Sequence, residues 1–349
     1  MVTRAANNSL KLNRKVVKAD IRWNMGKFKV VYTDNIYKDE EIEQRRFGEA
    51  GYDFSVASAH DEATLIRECR DADAVMVSFI EMNGKIIRSL EKCRVIVRCG
   101  MGFNNVDIPA ATEKGIMVAN VQKYCLDEVS DHAIALMLTL LRKTAYMSRL
   151  LREGSWSPAK ARPIPRIRDL TLGLYGLGGI SSRVANKAKA FGMRVVAYDP
   201  FLPAEYFEKM GVERLEREEE LFRRSDVLSV HLPLNKDTAG IISFDKLQWM
   251  KPTAIFLNLA RGGLVEETGL IRALREGVIG GAGLDVLADE YPSMDNPLFQ
   301  MDNVVVSPHI AYYSEGSDTD LRNYSIDQVI EALEKGEPEF FLNRKELGR

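Results

Sequence analysis

This sequence has few cysteines, no long apolar runs and almost no net charge. Its 349 residues include 4 cysteines, none of them in a Cys-x-x-Cys spacing. Neither a zinc site nor a disulfide framework is therefore indicated, and we expect no bound metal and a reducing compartment such as the cytoplasm. No apolar run approaches the roughly 18 uninterrupted residues of a membrane span. The net charge of −2 gives no electrostatic reason for nucleic acid or a membrane as partner, so a small-molecule ligand is expected.

The first 27 residues differ in composition from the rest of the chain. They carry seven basic residues against one acid, Asp20, and show no helical or strand periodicity. Such a segment is typical of a transit peptide, but we interpret it as a plain N-terminal extension. Folded structure is predicted to begin at Phe28, where the first strand-like run starts.

Residues 28–120 alternate between short apolar runs and helix-length charged stretches. The apolar runs are Lys29–Thr33, Ala74–Ser78, Arg94–Arg98 and Ile116–Ala119. Strands separated by helical crossovers predict a parallel sheet with helices on both faces, here of the flavodoxin-like kind. The following segment, Asp127–Arg152, places apolar residues at intervals of four, three and four and predicts one long amphipathic helix.

A second alternating series follows and predicts a second doubly wound α/β domain. Its apolar runs are Thr171–Tyr175, Arg194–Asp199, Asp226–Val230, Thr253–Asn258, Gly280–Asp285 and Asn303–Val306. The last helix-period segment, Asp318–Lys335, has no sheet of its own, so we predict that it returns to the first domain. Residues 28–125 and 318–349 would then form a substrate domain, and residues 126–317 an inserted Rossmann domain. Ligands are expected in the cleft between the two.

Three closely spaced glycines separate the strand-like run Thr171–Tyr175 from a helix-period stretch. Gly176 permits a tight turn, Gly178 lets a pyrophosphate approach bare backbone, and the first helical amides point at it. The residues expected to bind a dinucleotide here are Gly176, Leu177, Gly178, Gly179 and Ile180. The third glycine of this fingerprint is replaced by Ser181, which is small enough to fit. A glycine pattern alone also suits an ordinary strand-to-helix turn.

Asp199 ends the next strand-like run, twenty-one residues after Gly178. A carboxylate at this distance is placed to accept hydrogen bonds from an adenosine ribose diol, and it would repel a 2′-phosphate. NAD(H) is therefore predicted in preference to NADP(H).

Three titratable side chains follow predicted strands of the second sheet: Arg261, Glu290 and His309. In such sheets the carboxyl ends of the strands face the ligand crevice. A nicotinamide enzyme acting on a 2-hydroxy acid needs a guanidinium for the substrate carboxylate, a base for the hydroxyl proton and a carboxylate that orients that base. Each residue alone also suits a surface or core position, but together they predict a catalytic set.

Further residues are expected to line the same crevice. His231, Pro233, Ala260 and Asp285 are expected to contact the cofactor, with Asp285 at the nicotinamide carboxamide. His132 is interpreted as structural. The loop Gly100-Met101-Gly102 offers amides that could hold a substrate carboxylate, although a plain turn has the same pattern. The residues expected to bind substrate are Gly100, Met101, Gly102, Arg261 and Tyr312.

From residue 28 to about residue 343 the chain resembles the D-isomer-specific 2-hydroxyacid dehydrogenase family. The motifs that carry the resemblance are Arg98-Cys-Gly-Met-Gly, Gly173-Leu-Tyr-Gly-Leu-Gly-Gly-Ile, Tyr198-Asp-Pro, His231-Leu-Pro-Leu, Asn258-Leu-Ala-Arg-Gly-Gly-Leu-Val, Gly283-Leu-Asp-Val and Pro308-His-Ile-Ala. The resemblance implies that Arg261, Glu290 and His309 are the catalytic set, that Asp285 contacts nicotinamide, and that two copies form a homodimer through the nucleotide domains and the long helix.

Two segments are similar to the C-terminal-binding-protein-like branch of the family. They are Tyr124–His132 and His309–Glu315. Animal members of that branch are NAD-responsive transcriptional corepressors, and the branch often carries tryptophan where this chain has Tyr312. Two functions are therefore expected from the sequence: a D-2-hydroxyacid dehydrogenase that also reduces 2-oxo acids and, as the alternative, a non-catalytic NAD(H)-sensing interaction module. Met101, Phe103, Tyr312 and Tyr313 suggest room for an apolar or aromatic substrate side chain.

Overall fold

The computed structural model describes residues 27–349, which fold into two all-parallel sheets flanked by helices. The predicted N-terminal extension lies outside the described residues except for Lys27. The strands are β1 (Lys29–Tyr32), β2 (Asp53–Val56), β3 (Ala74–Val77), β4 (Val95–Arg98), β5 (Met117–Ala119), β6 (Thr171–Tyr175), β7 (Arg194–Tyr198), β8 (Glu213–Arg214), β9 (Val227–Val230), β10 (Ile255–Asn258), β11 (Gly281–Leu284) and β12 (Val304–Val306). The prediction of two doubly wound parallel domains is confirmed.

Helices connect successive strands and cover both faces of each sheet. They are α1 (Glu41–Glu49), α2 (Glu62–Cys69), α3 (Gly84–Ser89), α4 (Ile108–Glu113), α5 (Leu126–Leu141), α6 (Thr144–Arg152), α7 (Gly179–Ala190), α8 (Ala204–Met210), α9 (Glu218–Arg224), α10 (Phe244–Leu247), α11 (Glu267–Arg275) and α12 (Glu315–Glu334). Each sheet separates two hydrophobic clusters, one on either face. The central strands are continuous apolar runs because both of their faces are buried.

The first sheet has the strand order β2-β1-β3-β4-β5. Every residue of β3 is buried, as expected for a central parallel strand. The edge strand β2 was not predicted. Its exposed Asp53 and Ser55 alternate with half-buried Phe54 and Val56, so only two of its four residues carry an apolar signal.

The second sheet has the order β12-β11-β10-β9-β6-β7-β8. The chain runs outward from β6 through β7 to β8, and then returns to β9 on the other side of β6. The strand order therefore reverses between β6 and β9, and crevices at such switch points bind ligands in open α/β sheets. The two-residue edge strand β8 was also missed, because Glu213 and Arg214 show no apolar pattern.

The prediction of one long helix over Asp127–Arg152 is wrong, because this segment forms two helices. Helix α5 ends at Leu141 and α6 begins at Thr144, with Lys143 between them in a left-handed conformation, φ 55°. The apolar spacing continues across the break, so the pattern of apolar residues does not reveal it. Leu141 is buried in the same hydrophobic cluster as the rest of α5.

The C-terminal helix α12 packs on the first sheet. Its Ile326 and Val329 are fully buried in one cluster with Val30 of β1. Arg322 donates from Nε to Oε1 of the fully buried Glu43 on α1, at 2.8 Å. This packing supports the predicted insertion of one domain into the other, and the limits at residues 125 and 317 stay a prediction.

Within residues 27–349, no helix is both long and apolar enough to cross a membrane. The same part of the chain has no group of three or more His, Cys, Asp or Glu side chains arranged to hold a metal ion. The four cysteines are free thiols, and Cys93 is half-buried while the other three are buried.

Candidate active site

A cavity of about 530 Å³ opens between the two sheets, at the carboxyl ends of β4, β6, β9, β10 and β11. The predicted site residues that line it are Met101, Gly102, Gly178, Gly179, Ile180, His231, Pro233, Ala260, Arg261, Asp285, His309 and Tyr312. The predicted residues outside its lining are Gly100, Gly176, Leu177, Asp199 and Glu290. All but Asp199 contact or directly adjoin a lining residue, and Asp199 is hydrogen-bonded to Leu177. Phe103 lines the cavity and Tyr313 does not, so the expected role of Tyr313 in the substrate pocket is not supported.

The glycine-rich turn after β6 leaves the backbone amides of Gly178, Gly179 and Ile180, at the start of α7, without a partner among residues 27–349. Gly176 has φ +92°, and a Cβ there would lie 2.8 Å from the carbonyl oxygen of His231, so a larger residue does not fit. Gly178 precedes the helix without a side-chain cap, and a Cβ on it would meet nothing within 4 Å. Ser181 is fully buried, and its hydroxyl donates to the Gly178 carbonyl. The serine therefore fits where the fingerprint has its third glycine.

Asp199 is bound to this turn. Its Oδ2 accepts from the Leu177 amide at 3.0 Å, and its Oδ1 accepts from the Phe201 amide at 3.0 Å. The carboxylate thus lies beside the glycine turn with lone pairs left for a ribose diol. The uncapped amides and the open Gly178 fit the pyrophosphate of NAD(H), and the Asp199 carboxylate fits its adenosine ribose.

Arg261 reaches the cavity from the turn after β10. The buried Asn258 fixes this turn, because its Oδ1 accepts from the Ala260 amide and its Nδ2 donates to the Arg261 carbonyl. The guanidinium lies against the facing loop, since a Cβ on Gly102 would be 1.6 Å from its Nη2. Burial lowers the pKa of Arg261, and the nearby Arg98 lowers it further. The sequence did not indicate the role of Asn258 in this turn.

His309 and Glu290 form a pair beside Arg261. Oε1 of Glu290 contacts Nδ1 of His309, and the two side chains are 47% and 31% exposed. His309 has a left-handed backbone, φ 49°, which is an uncommon and strained conformation for a residue with a side chain. Because Glu290 occupies Nδ1, the other ring nitrogen, Nε2, is left for a ligand in the cavity.

Asp285 holds the His309 segment in place. Its buried carboxylate accepts from the amides of Ile310 and Ala311 at 3.0 Å each and from the Ser307 hydroxyl at 2.6 Å. Its carbonyl accepts from the His309 amide at 2.8 Å. The expected contact of Asp285 with nicotinamide stays a prediction, and the positioning of this strained segment is a role that the sequence did not reveal.

Two other histidines differ in their surroundings. His132 on α5 contacts the Ser307 hydroxyl at 2.8 Å, so it belongs to the network around Asp285. His231 lines the cavity and contacts the Ser229 hydroxyl at 2.9 Å. Burial lowers the pKa of His231 to about 4, so its imidazole is neutral at physiological pH.

The facing loop after β4 carries several unsatisfied donors. Gly100 has φ +144°, and a Cβ there would lie 1.7 Å from Nη1 of Arg98. Within residues 27–349 the amides of Met101 and Gly102 have no hydrogen-bond partner. Arg98, the last residue of β4, also lines the cavity. In the sequence it stood out only as the first residue of the motif Arg98-Cys-Gly-Met-Gly. Its position at a strand terminus was the signal that could have identified it.

Comparison with known proteins assigns the family. The model of the "D-isomer specific 2-hydroxyacid dehydrogenase, NAD binding domain" matches residues 134–311, which is half of the chain. A glyoxylate reductase of Korarchaeum cryptofilum is 32% identical, over 86% of this chain and 93% of its own length. A glycerate dehydrogenase of Methylorubrum extorquens is 33% identical, over 89% and 98% respectively. The chain therefore belongs to the D-isomer-specific 2-hydroxyacid dehydrogenase family.

Some relatives are longer than the region they share with this chain. A D-3-phosphoglycerate dehydrogenase of Methanocaldococcus jannaschii is 36% identical over 87% of this chain, which spans 57% of that relative. Among solved structures, a glyoxylate reductase from Paecilomyes thermophila has a TM-score of 0.83 at 27% identity, covering 91% of this chain and 99% of its own. A D-lactate dehydrogenase from Aquifex aeolicus, complexed with NAD and lactic acid, has a TM-score of 0.78 at 28% identity, covering 88% and 96%.

Proposed function

We propose that this protein is an NAD(H)-dependent dehydrogenase that interconverts D-2-hydroxy acids and 2-oxo acids by hydride transfer at C2. The observation that carries the proposal is one shared cavity. Arg261, His309 and the uncapped start of α7 all line the same space of about 530 Å³. The family match at the NAD-binding domain supports the cofactor, and the names of the relatives support the substrate class.

In this proposal Arg261 binds the substrate carboxylate. The planar fork of guanidinium donors matches two carboxylate oxygens, and its partial burial strengthens that contact. The loop with the free amides of Met101 and Gly102 lies against this guanidinium, and these amides would supply further donors to the same group. Tyr312 forms part of the wall around the substrate.

His309 is the proposed acid and base at the C2 oxygen. In the reducing direction it donates a proton from Nε2 as the carbonyl becomes a hydroxyl, and in the oxidising direction it accepts that proton. Glu290 at Nδ1 fixes the orientation of the ring. The nicotinamide, when bound, supplies or accepts the hydride.

The cofactor is proposed to lie along the predicted residues of the second domain. The pyrophosphate would sit at Gly178, Gly179 and Ile180, and the adenosine ribose at Asp199. Because Asp199 lies beside the Leu177 amide, a 2′-phosphate there would meet a carboxylate. NADH is therefore expected to be preferred to NADPH.

Turnover by the purified protein tests this function. The protein is incubated with NADH and glyoxylate, hydroxypyruvate, pyruvate or phenylpyruvate, and loss of NADH absorbance is expected with at least one of them. Arg261→Ala is expected to raise KM strongly, whereas Arg275→Ala, on an exposed face of α11, is the matched control. NADPH is compared with NADH under the same conditions. Absence of turnover across a broad panel of 2-oxo acids would contradict the proposal.

The alternative is an NAD(H)-sensing interaction module of the corepressor type, as in the C-terminal-binding-protein-like branch. A sensor has no need of an acid–base pair, so the contact between His309 and Glu290 favours catalysis. Calorimetric binding of NADH without any turnover would favour the sensor instead. The homodimer and the cytoplasmic location stay predictions, and the mass of the protein in solution tests the first.

A further inference from the structure

Glu290 lies on an exposed loop between β11 and β12, residues 288–296, which is named the Glu290 loop below. Most residues of this loop are exposed to solvent. Segments with few buried contacts open at a low free energy, so an exposed loop does not by itself hold a side chain in one place. A carboxylate that orients the His309 imidazole therefore needs another group that fixes the loop.

One carboxylate, that of Glu267 on α11, binds both ends of the Glu290 loop. Its Oε2 accepts from the Ala288 amide at 2.9 Å, and its Oε1 accepts from Nδ2 of Asn296 at 2.9 Å. Within residues 27–349, the other hydrogen bonds of the loop lie inside it, go to the helical turn after it or join Glu290 to His309. Glu267 therefore closes the loop at its base.

Glu267 is held by a packed helix and not by the loop that it binds. It is the first residue of α11, whose Leu270 and Leu274 are buried in one hydrophobic cluster of the second domain. Gly269 of the same helix lies against α10, since a Cβ on it would be 3.1 Å from the backbone nitrogen of Phe244. Within residues 27–349, both hydrogen bonds of the Glu267 carboxylate go to the loop and none goes to its own helix. The carboxylate therefore acts on the loop and not as a helix cap.

The Glu290 loop also begins against the turn that carries Arg261. A Cβ on Gly262 would lie 1.7 Å from the carbonyl oxygen of Leu287, so a larger residue does not fit at this approach. Residues 261–267 thus present the Arg261 guanidinium to the cavity at one end and bind the loop at the other. A shift of the loop relative to this segment would change the distances from Glu290 to its histidine partner and to the guanidinium.

We propose that Glu267 is a positioning residue, which holds the Glu290 loop so that the Glu290 carboxylate meets Nδ1 of His309. This inference rests on the proposed function, in which His309 transfers the proton at the C2 oxygen. Glu267 does not line the cavity, so it acts through Glu290 and not on the substrate. Two hydrogen bonds from a fixed helix thereby give an exposed carboxylate one geometry.

Steady-state kinetics with NADH and the best 2-oxo acid test this role. Glu267→Ala removes both hydrogen bonds to the loop and is expected to lower kcat about 10- to 100-fold, because a misplacement of about 1 Å costs up to roughly that much. KM is expected to change little, since the groups that bind the substrate carboxylate remain. Glu267→Gln keeps one acceptor oxygen and is expected to have an intermediate kcat. An unchanged kcat in Glu267→Ala would overturn the proposal.

The matched control is Glu266→Ala, because Glu266 is the neighbouring acid and is exposed. A double substitution then separates positioning from a general loss of structure. If Glu267 acts through Glu290, Glu267→Ala is expected to lower the kcat of Glu290→Gln by less than about twofold, since residues that act through one another do not have additive effects. Losses that multiply in the double variant would show that Glu267 acts independently of Glu290.

Hydrogen exchange and NMR test the loop without reference to turnover. In the purified full-length protein, Glu267→Ala is expected to speed amide exchange in residues 288–296, whereas Glu266→Ala leaves it unchanged. The ring resonances of His309, identified by their absence in His309→Ala, are expected to move in Glu267→Ala to the positions found in Glu290→Gln. These results support the positioning role even if no 2-oxo acid is reduced. Unchanged exchange, or faster exchange with unchanged His309 resonances, would overturn it even if turnover is observed.

Discussion

The two halves of the cavity satisfy their polar groups in opposite ways. On the side of the seven-stranded sheet, Asp285 and Asn258 are fully engaged by their own domain, and Glu290 contacts His309. On the side of the five-stranded sheet, Arg98 and the amides of Met101 and Gly102 have no partner among the described residues. Side chains that already make hydrogen bonds within the protein hold a fixed geometry, whereas donors without a partner are free to bind a ligand that enters the cavity. The first half is therefore suited to proton transfer and the second to substrate selection.

This comparison predicts where each kind of substitution acts. Changes at His309 and Asp285 in the seven-stranded half are expected to lower turnover for all substrates, whereas Arg261, which contacts the facing loop, is expected to act on affinity together with that loop. Changes in the five-stranded half are expected to alter affinity and substrate preference. The following experiments test this division, from the largest expected effect to the smallest.

His309→Ala removes the proposed proton donor from the fixed half. Because general acid–base catalysis contributes about 10²–10⁴-fold, kcat is expected to fall by that factor with little change in KM. Steady-state kinetics with NADH and the best 2-oxo acid measure both values. His60→Ala, in an exposed loop, is the matched control. A rise in KM with unchanged kcat would assign His309 to substrate binding.

Asp285→Asn weakens the support of the His309 segment. Asparagine has nearly the size of aspartate, but its side chain has one acceptor oxygen instead of two. It therefore cannot accept all three hydrogen bonds from the Ser307 hydroxyl and the two amides. We expect kcat to fall about tenfold or more and the free energy of unfolding to fall by about 1–3 kcal/mol. Urea unfolding and steady-state kinetics measure the two effects. A purely structural role would be shown by lost stability with unchanged kcat.

Gly102→Ala tests the open half. Its added Cβ would lie 1.6 Å from the Arg261 guanidinium, so that group must move. We expect KM for the 2-oxo acid to rise about tenfold, within the range of one lost charge-assisted contact, and kcat to change less. Gly48→Ala is the control, because a Cβ there meets nothing within 4 Å. Equal losses in kcat and kcat/KM would remove the distinction between the halves.

The neutral His231 predicts a pH dependence of stability. The pKa of His231 is about 4 in the folded chain and roughly 6.5 in the unfolded chain. Between these two pH values the unfolded chain binds a proton at this residue and the folded chain does not. Stability is therefore expected to fall as the pH drops from about 7 to about 4. Urea unfolding at pH 7 and pH 5 measures the change, and His231→Gln is expected to reduce it. An unchanged slope in that variant would contradict the neutral imidazole.

Sequence reasoning was accurate where a residue's surroundings follow from its neighbours in the chain. The fully buried central strands β3, β9 and β10 appeared as mostly apolar runs, and the glycine turn before α7 appeared as its own pattern. Sequence reasoning failed where the contacts of a segment are made with residues distant in the chain. The edge strand β2 is defined by pairing with β1, and the break at Lys143 leaves the apolar spacing intact.

The sequence by itself indicated the family and the two parallel-sheet domains, and it identified Arg261, Glu290 and His309 as candidate catalytic residues, because strand periodicity, glycine spacing and strand ends are local features. Only the tertiary structure decided what each of these groups contacts. It set Glu290 on Nδ1 of His309 and gave the Asp285 carboxylate three donors from the segment after β12. It also left Arg98 unpaired beside Arg261. Charge pairing depends on groups that are distant in the chain and adjacent in space, so it emerges only when both sheets are folded.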